Sequence, residues 1–280
     1  MARVYGSEVC DKTINKYSHR EFTKSDCMTW LDKLEDGSVN LFLIDPPYNL
    51  LTGNMTNKNG AAIFHSRYTA KVTPSESDLE KGMVTSRFEV AIPWEEQAKL
   101  EDYKEWCYKW YCKAHQKLAD DSFMFIFWSM KYLYLAYQIF DVNRVIFWQQ
   151  PNMVSSISGD FSYDITPIIV VRKGNARLRR DSGLWDRSSI LNFTKPQGNY
   201  IDDKLCHVCQ KPRKLLEHLV WLSDTDHNDY VIADFFAGSG SLLRAVNKAD
   251  VLLCDQNDEY YDKFFDIYVK DERVYRCKKK

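Results

Sequence analysis

The stretch from Val231 to Asp255 constrains the fold most. An apolar run, Val231-Ile232-Ala233-Asp234, leads into Gly238-Ser239-Gly240-Ser241. A helical segment over 242–249 follows, and then a second apolar run over 251–255 that ends in Asp255. Glycines let a backbone bend sharply and approach a ligand closely, because no Cβ intervenes. Strand, glycine turn, helix and strand in this order make a βαβ unit, and such a unit needs a sheet to belong to. Other apolar runs bounded by polar clusters predict strands at 39–44, 122–128, 143–148 and 165–171, with 230–234 leading into the glycines. Leu100, Tyr103, Cys107, Trp110, Ala114 and Leu118 recur at spacings of three and four, the mark of one apolar helix face. Leu215, Leu219 and Leu222 do the same after Pro212, which suits a first helical turn. The alternation of strands and helices predicts an α/β sheet.

A chain of 280 residues suits one large domain, or one domain with a sizeable insertion. With 45% hydrophobic and 28% charged residues it can bury a core. No apolar stretch reaches the roughly 18 residues that span a bilayer. The opening Met1-Ala2-Arg3-Val4-Tyr5-Gly6 lacks the features of a signal peptide, so a cytoplasmic location is expected. Eight scattered cysteines read as free thiols rather than a disulfide framework. Two stretches break the pattern. Residues 50–95 are rich in Asn, Thr, Ser, Lys and Gly and read as a functional loop or as disorder. Residues 174–204 are irregular and basic.

The formal net charge of −1 does not advertise a nucleic-acid binder, but the charges are segregated. From Arg172 to Lys214 the basic residues far outnumber Asp181, Asp186, Asp202 and Asp203, whereas 224–266 is strongly acidic. This is either a solvated mixed surface or a basic stripe able to neutralise phosphates.

Two places carry chemistry. Asp255 lies 21 residues after Asp234, the separation at which a carboxylate can accept bonds from ribose hydroxyls in a βαβ unit. The pattern reads as nucleoside binding, with a purely structural turn as the alternative. No GxGxxG or P-loop spacing is present, which argues against dinucleotide and triphosphate cofactors. The second place is Asp45-Pro46-Pro47-Tyr48-Asn49, directly after the run Leu41–Ile44. Two prolines cannot continue a ladder, so the strand must end there. The turn would hold the Asp45 carboxylate and the Pro46 carbonyl at the carboxyl edge of the sheet, where open α/β sheets bind ligands. Two acceptors beside the Tyr48 ring suit a planar, amino-bearing base. A proline-ended strand with a core tyrosine is the plainer reading.

Together, Asp45-Pro-Pro-Tyr48 and Asp234-x-Phe-Ala-Gly-Ser-Gly240 resemble the DNA amino-methyltransferases, in the β-group order that puts the catalytic motif before the cofactor motif. Ser25-Asp26-Cys27-Met28 and His207-Val208-Cys209-Gln210-Lys211-Pro212 are similar to two further elements of that family. The family usually has proline at the positions of Phe235 and Val208, and threonine at that of Ser241; 174–204 is short for a target-recognition segment.

The resemblance implies a single methyltransferase domain over 1–280, built on a doubly wound, mostly parallel seven-stranded sheet with permuted motif order. S-adenosylmethionine is the implied cofactor. Asp234, Phe236, Gly238, Gly240 and Ser241 would line its pocket, with Asp255 on the ribose and Asp26, Cys27 and Lys211 at its border. Asp45, Pro46, Pro47 and Tyr48 would hold a base flipped out of duplex DNA. The implied reaction is direct methyl transfer to adenine N6 within restriction-modification, with 50–95 and 174–204 facing the target. A homodimer is implied by analogy. Cytosine N4, RNA, and a binding protein that keeps the fold without catalysis are the alternatives. Cys206-x-x-Cys209 invites a zinc reading, but a structural site needs four ligands, so no metal is expected. Trp106, Trp110, Phe125, Phe127 and Trp148 sit in periodic apolar segments and are expected in the core.

Overall fold

Strands with apolar residues on both faces must be covered on both sides, and that requirement organises this chain. The computed structural model describes residues 18–48, 100–152, 164–196, 210–238, 240–257 and 275–276. The 50–95 stretch, Cys206, Cys209, Ser239 and the 197–204 end of the basic segment lie outside them.

The strands are β1 (Arg20–Lys24), β2 (Val39–Ile44), β3 (Leu118–Phe127), β4 (Val142–Gln149), β5 (Ile165–Arg172), β6 (Ile190–Asn192), β7 (Val231–Asp234), β8 (Asp250–Asp255) and β9 (Tyr275–Arg276). They form one sheet in the order β6-β4-β5-β3-β2-β7-β8-β1-β9. Only β5 runs against the others. Seven strands were expected. The short β6 and β9 extend that set at its two edges and make nine.

The helices are α1 (Cys27–Leu31), α2 (Leu100–Lys117), α3 (Leu133–Ile139), α4 (Arg213–Leu222) and α5 (Leu242–Ala245). Alternate residues of one strand serve opposite cores, as the two-residue period of a strand requires. Leu41 and Leu43 join Leu215, Leu219 and Leu242 on the side covered by α4 and α5. Phe42 and Ile44 join Trp30, Trp110, Ala114 and Leu135 on the side covered by α1, α2 and α3. The expected face of α2 is buried at Tyr103, Cys107, Trp110 and Ala114. Leu118 already belongs to β3, which starts four residues before the sequence pattern suggests.

The helix after the glycine turn is shorter than the expected 242–249. It stops at Ala245, and Val246 is extended. The Asp226 carboxylate accepts the backbone N–H groups of Asn247 (3.1 Å), Lys248 (2.6 Å) and Ala249 (3.0 Å). Those amides would otherwise bond within a helix, so a distant side chain outcompetes the local ladder.

Two features missed in the sequence complete the frame. The strand β1 has one core side chain, Phe22, and a buried Arg20. The Arg20 guanidinium donates to the carbonyls of Ala249 and Val246, both at 2.7 Å. These bonds satisfy a charge that is costly to bury alone. The helix α3 buries Leu135, Ala136 and Ile139. The chain leaves β2 toward β3 on one side, whereas β7 leads to β8 on the other. The sheet therefore reverses direction between β2 and β7, and a crevice at their carboxyl ends is the expected ligand position.

Candidate active site

Four acids end four neighbouring strands along one edge. Asp45 follows β2, Asp234 closes β7, Asp255 closes β8, and Asp26 follows β1. Register sets their heights: Phe42 pairs Ala233, Asp234 pairs Leu253, and Lys24 pairs Asp255.

On the β2 side, the prolines end the ladder and Asp45 turns out at the rim, half-buried, over a buried Pro46. Both carboxylate oxygens of Asp45 are engaged. The Tyr48 hydroxyl donates to Oδ1 and the Lys211 ammonium to Oδ2. Lys211 is nearly buried and lies 5.0 Å from the centroid of the Phe127 ring. The Tyr103 hydroxyl donates to the Pro47 carbonyl at 2.9 Å and pins the turn to α2. The Tyr48 ring crosses that of Trp128 at 70°, with 6.4 Å between centroids.

On the β7 side, Asp234 Oδ1 accepts the Phe236 N–H at 2.9 Å. Asp255 holds the glycine turn: Oδ2 accepts from Gly238 at 2.7 Å and Oδ1 from Asn257 at 2.9 Å. Ala237 N–H donates to the Cys254 carbonyl at 3.0 Å, stitching the turn to β8. Gly238 and Gly240 both have left-handed φ, +45° and +67°, which side chains disfavour. Among the described residues, a Cβ on Gly238 would meet nothing closer than the Phe236 carbonyl at 4.0 Å.

The electrostatics join the two halves. Burial pushes the Asp234 carboxyl well above the usual range, the Phe236 amide opposes it, Asp45 and Asp255 raise it further, and Lys211 lowers it. Burial also raises Asp255, against the amides of Asn257, Gly238 and Gln256. Both acids therefore lie where a ligand offering donors or positive charge would be welcome. Asp26 is the opposite case. It caps α1 by accepting the Thr29 N–H at 2.9 Å, is exposed, and has its pKa lowered by the Thr29 side chain and then by that amide.

Three of the residues expected at the cofactor have the following surroundings. Lys211, expected at the cofactor border, is bonded to Asp45. The Cys27 side chain packs in the core beneath α1, and burial pushes its thiol up to about 12. Ser241 is buried at the start of α5. Of the aromatic residues expected in the core, Trp110, Phe125, Phe127 and Trp148 are buried. Trp106 is half-buried and packs on Phe236, at 5.7 Å.

Sequence reasoning missed the rings that bridge the two halves. Trp128 contacts Tyr48, Tyr103 lies 6.2 Å from Trp128 and 6.0 Å from Trp106, and Trp106 reaches Phe236. The three-residue step from Tyr103 to Trp106 was the available signal. It reads simply as a helix face, and nothing local shows that its two ends touch different motifs.

The architecture is that of solved DNA methyltransferases. The cytosine-N4-specific PvuII DNA methyltransferase matches with a TM-score of 0.60 at 13% identity, over 93% of this chain and 95% of that one. The complex of M1.HpyAVI with S-adenosylmethionine matches with a TM-score of 0.55 at 15% identity, over 88% and 98%. The chain belongs to the N6/N4 DNA methylase family, whose pattern spans residues 39–266. Among its relatives is the type II methyltransferase M2.DpnII of Streptococcus pneumoniae, 24% identical over 251 residues that cover 85% of this chain and 84% of that protein. Another is the type II methyltransferase M1.MboII of Moraxella bovis, 24% identical over 84% of this chain and 90% of that protein. The protein is thus a DNA amino-methyltransferase. Among the described residues no cluster fit to hold a metal is found, and no helix is long and apolar enough to cross a membrane.

Proposed function

We propose that the protein methylates the N6 amino group of adenine in duplex DNA, using S-adenosylmethionine, after the base is flipped out of the stack. The observation that carries this reading is the Asp45 carboxylate, fixed by Tyr48 on a double-proline turn, one strand away from Asp234. An acceptor for an amine thus stands beside a nucleoside pocket.

The residues present fit the cofactor. Asp234, Phe236, Gly238, Gly240 and Asp255 form or flank the glycine turn, and burial raises the pKa of both acids, so a ligand bringing hydrogen-bond donors would favour their carboxylates. Asp255 would accept ribose hydroxyls, and Asp26 and Ser241 would border the site. When bound, S-adenosylmethionine supplies an electrophilic methyl group.

This chain's own residues do the rest. The adenine amine is a poor nucleophile because its lone pair is delocalised into the ring. Asp45 and the Pro46 carbonyl accept its two hydrogens, which localises that lone pair and aims it at the β7 side of the crevice. Asp45 then stabilises the positive charge that grows on the nitrogen, and fixed alignment supplies much of the remaining acceleration. Tyr48 offers its ring face to the base. Lys211 occupies Asp45 until then, so base entry replaces one N–H donor by another at the same oxygen. Within the family, aspartate at the position of Asp45 leans toward adenine over cytosine, which supports the choice of base.

The test incubates pure protein with S-adenosylmethionine and unmethylated duplex DNA, then identifies nucleosides by mass spectrometry. N6-methyladenine is expected, and it should disappear with Asp45→Ala while DNA binding persists. N4-methylcytosine would overturn the choice of base, and product from Asp45→Ala would overturn the mechanism.

A further inference from the structure

The segment that leads from β2 to Tyr48 has little backbone freedom. Asp45 and Pro46 each precede a proline, which holds both in extended conformations. The rings of Pro46 and Pro47 fix φ at those two residues. The soft dihedral left before Tyr48 is ψ of Pro47. A peptide unit is planar, so rotation about that bond swings the Pro47 carbonyl and the Tyr48 amide together. Whatever holds the carbonyl therefore aims Tyr48. Neither proline has an N–H, so a hydrogen bond to the pair can be made only at its carbonyls.

Tyr103 makes such a bond. From the first turn of α2 its hydroxyl donates to the Pro47 carbonyl at 2.9 Å. The donor is rigidly held. Tyr103 is 5% exposed, and its ring stacks on Trp128 at 20°, with 6.2 Å between centroids, and on Trp106 at 30°, with 6.0 Å. Trp128 is itself fixed, for it is buried and its indole N–H donates to the Tyr132 carbonyl at 2.8 Å. A phenylalanine would fill this stack equally well. Burying a hydroxyl is costly unless it is bonded, so packing alone does not account for a tyrosine here. The Pro47 carbonyl does.

The far side of the hinge is placed as well. The Tyr48 hydroxyl donates to Asp45 Oδ1, and its ring meets the Trp128 ring at 70°, with 6.4 Å between centroids. Trp128 thus touches both Tyr103 and Tyr48. Asp45 is anchored independently, because it directly follows Ile44, which pairs with Ile126 in the β2–β3 ladder. The carboxylate is positioned by the sheet, and the tyrosine ring by α2.

We propose that Tyr103 is a positioning residue for methyl transfer, its hydroxyl locking ψ of Pro47 and so setting the Tyr48 ring relative to Asp45. This rests on the reading of the double-proline turn as the holder of the target base, and it assigns the residue that shapes that turn. Tyr103 acts through Tyr48. Without the lock the amine still meets Asp45, but the plane of the base is not fixed. Fewer bound bases then present the nitrogen in line for displacement.

The test measures single-turnover methyl transfer from S-adenosylmethionine to unmethylated duplex DNA, with enzyme and cofactor saturating. Tyr103→Phe keeps the ring stack and deletes only the hydroxyl. Its rate should fall about tenfold or more, as misalignment of reacting groups does, while cofactor affinity by calorimetry is unchanged. In a Tyr48→Ala background the same substitution should slow the rate by less than about twofold, because the residue it aims is gone. Ala114→Gly, also in α2 and fully buried, should lower the melting temperature yet keep the wild-type rate. A wild-type rate in Tyr103→Phe would overturn the proposal. So would losses that add fully to those of Tyr48→Ala, or an equal loss in Ala114→Gly, which would make the effect one of helix packing. Failure of the underlying reading looks different: wild type itself would give no methylated nucleoside. The identity of that nucleoside decides the base, and the ratios between variants decide the role of Tyr103.

Discussion

The Lys211 ammonium rests on the Asp45 carboxylate, joining residues 166 positions apart in the chain. The contact links the double-proline turn electrostatically to the glycine-turn side, because Asp234 feels both partners: Asp45 raises its pKa and Lys211 lowers it. One cation therefore balances acids from both halves of the site.

Replacing that cation should show its weight. Lys211→Met leaves Asp45 facing Asp234 with no cation between them. The expected cost is about 1–3 kcal/mol, below the 3–5 of a fully buried pair because solvent reaches part of this one. Asp45→Asn in the same background should recover much of it, giving a coupling of about 0.5–3 kcal/mol in a double-mutant cycle. Denaturant melts of the four proteins measure this. Strict additivity would mean that the two side chains do not interact in solution.

Stability should fall as pH rises through the Asp234 transition. Its folded pKa lies above the unfolded value of about 3.9. Between those two values the native state holds the proton and the unfolded chain does not, so raising pH favours unfolding. Asp255 is shifted in the same direction. Asp234→Asn keeps an oxygen for the Phe236 amide and removes the titration. It should melt higher than wild type at neutral pH, by about 2–4 °C per kcal/mol regained, with the gain vanishing toward pH 4. Cofactor affinity should fall in the same variant. Parallel melting curves against pH for the two proteins would contradict this account.

Asp226 titrates with the opposite sign. Burial pushes its pKa up, but the amides of Lys248, Ala249 and Asn247 outweigh this and leave it lowered. Its contribution is present above the unfolded value of about 3.9 and is lost as pH falls through the folded value. Asp226→Ala should cost about 1–3 kcal/mol at neutral pH and converge on wild type in acid. Hydrogen exchange should speed up at residues 247–249. Unchanged exchange there would show that the carboxylate does not hold those amides.

Much of this molecule was readable without coordinates. The strands β2, β7 and β8 are legible because apolar runs end at residues that cannot extend a ladder or that turn the chain, namely Pro46, Pro47, Gly238 and Gly240. The rim positions of Asp45, Asp234 and Asp255 follow from those strand ends, since a strand end in an α/β sheet faces the ligand edge. Such signals are local, carried by backbone restrictions of the residues themselves. What only the tertiary structure decided is non-local. The strand β1 hides behind a buried arginine whose two partners lie in 246–249, and the helix after the glycine turn is cut short by Asp226. Lys211 meets Asp45 across 166 positions of chain, and a row of rings joins Tyr48 to Phe236. Each depends on a partner far away in the chain, and sequence periodicity describes only which way a side chain points, not what it meets.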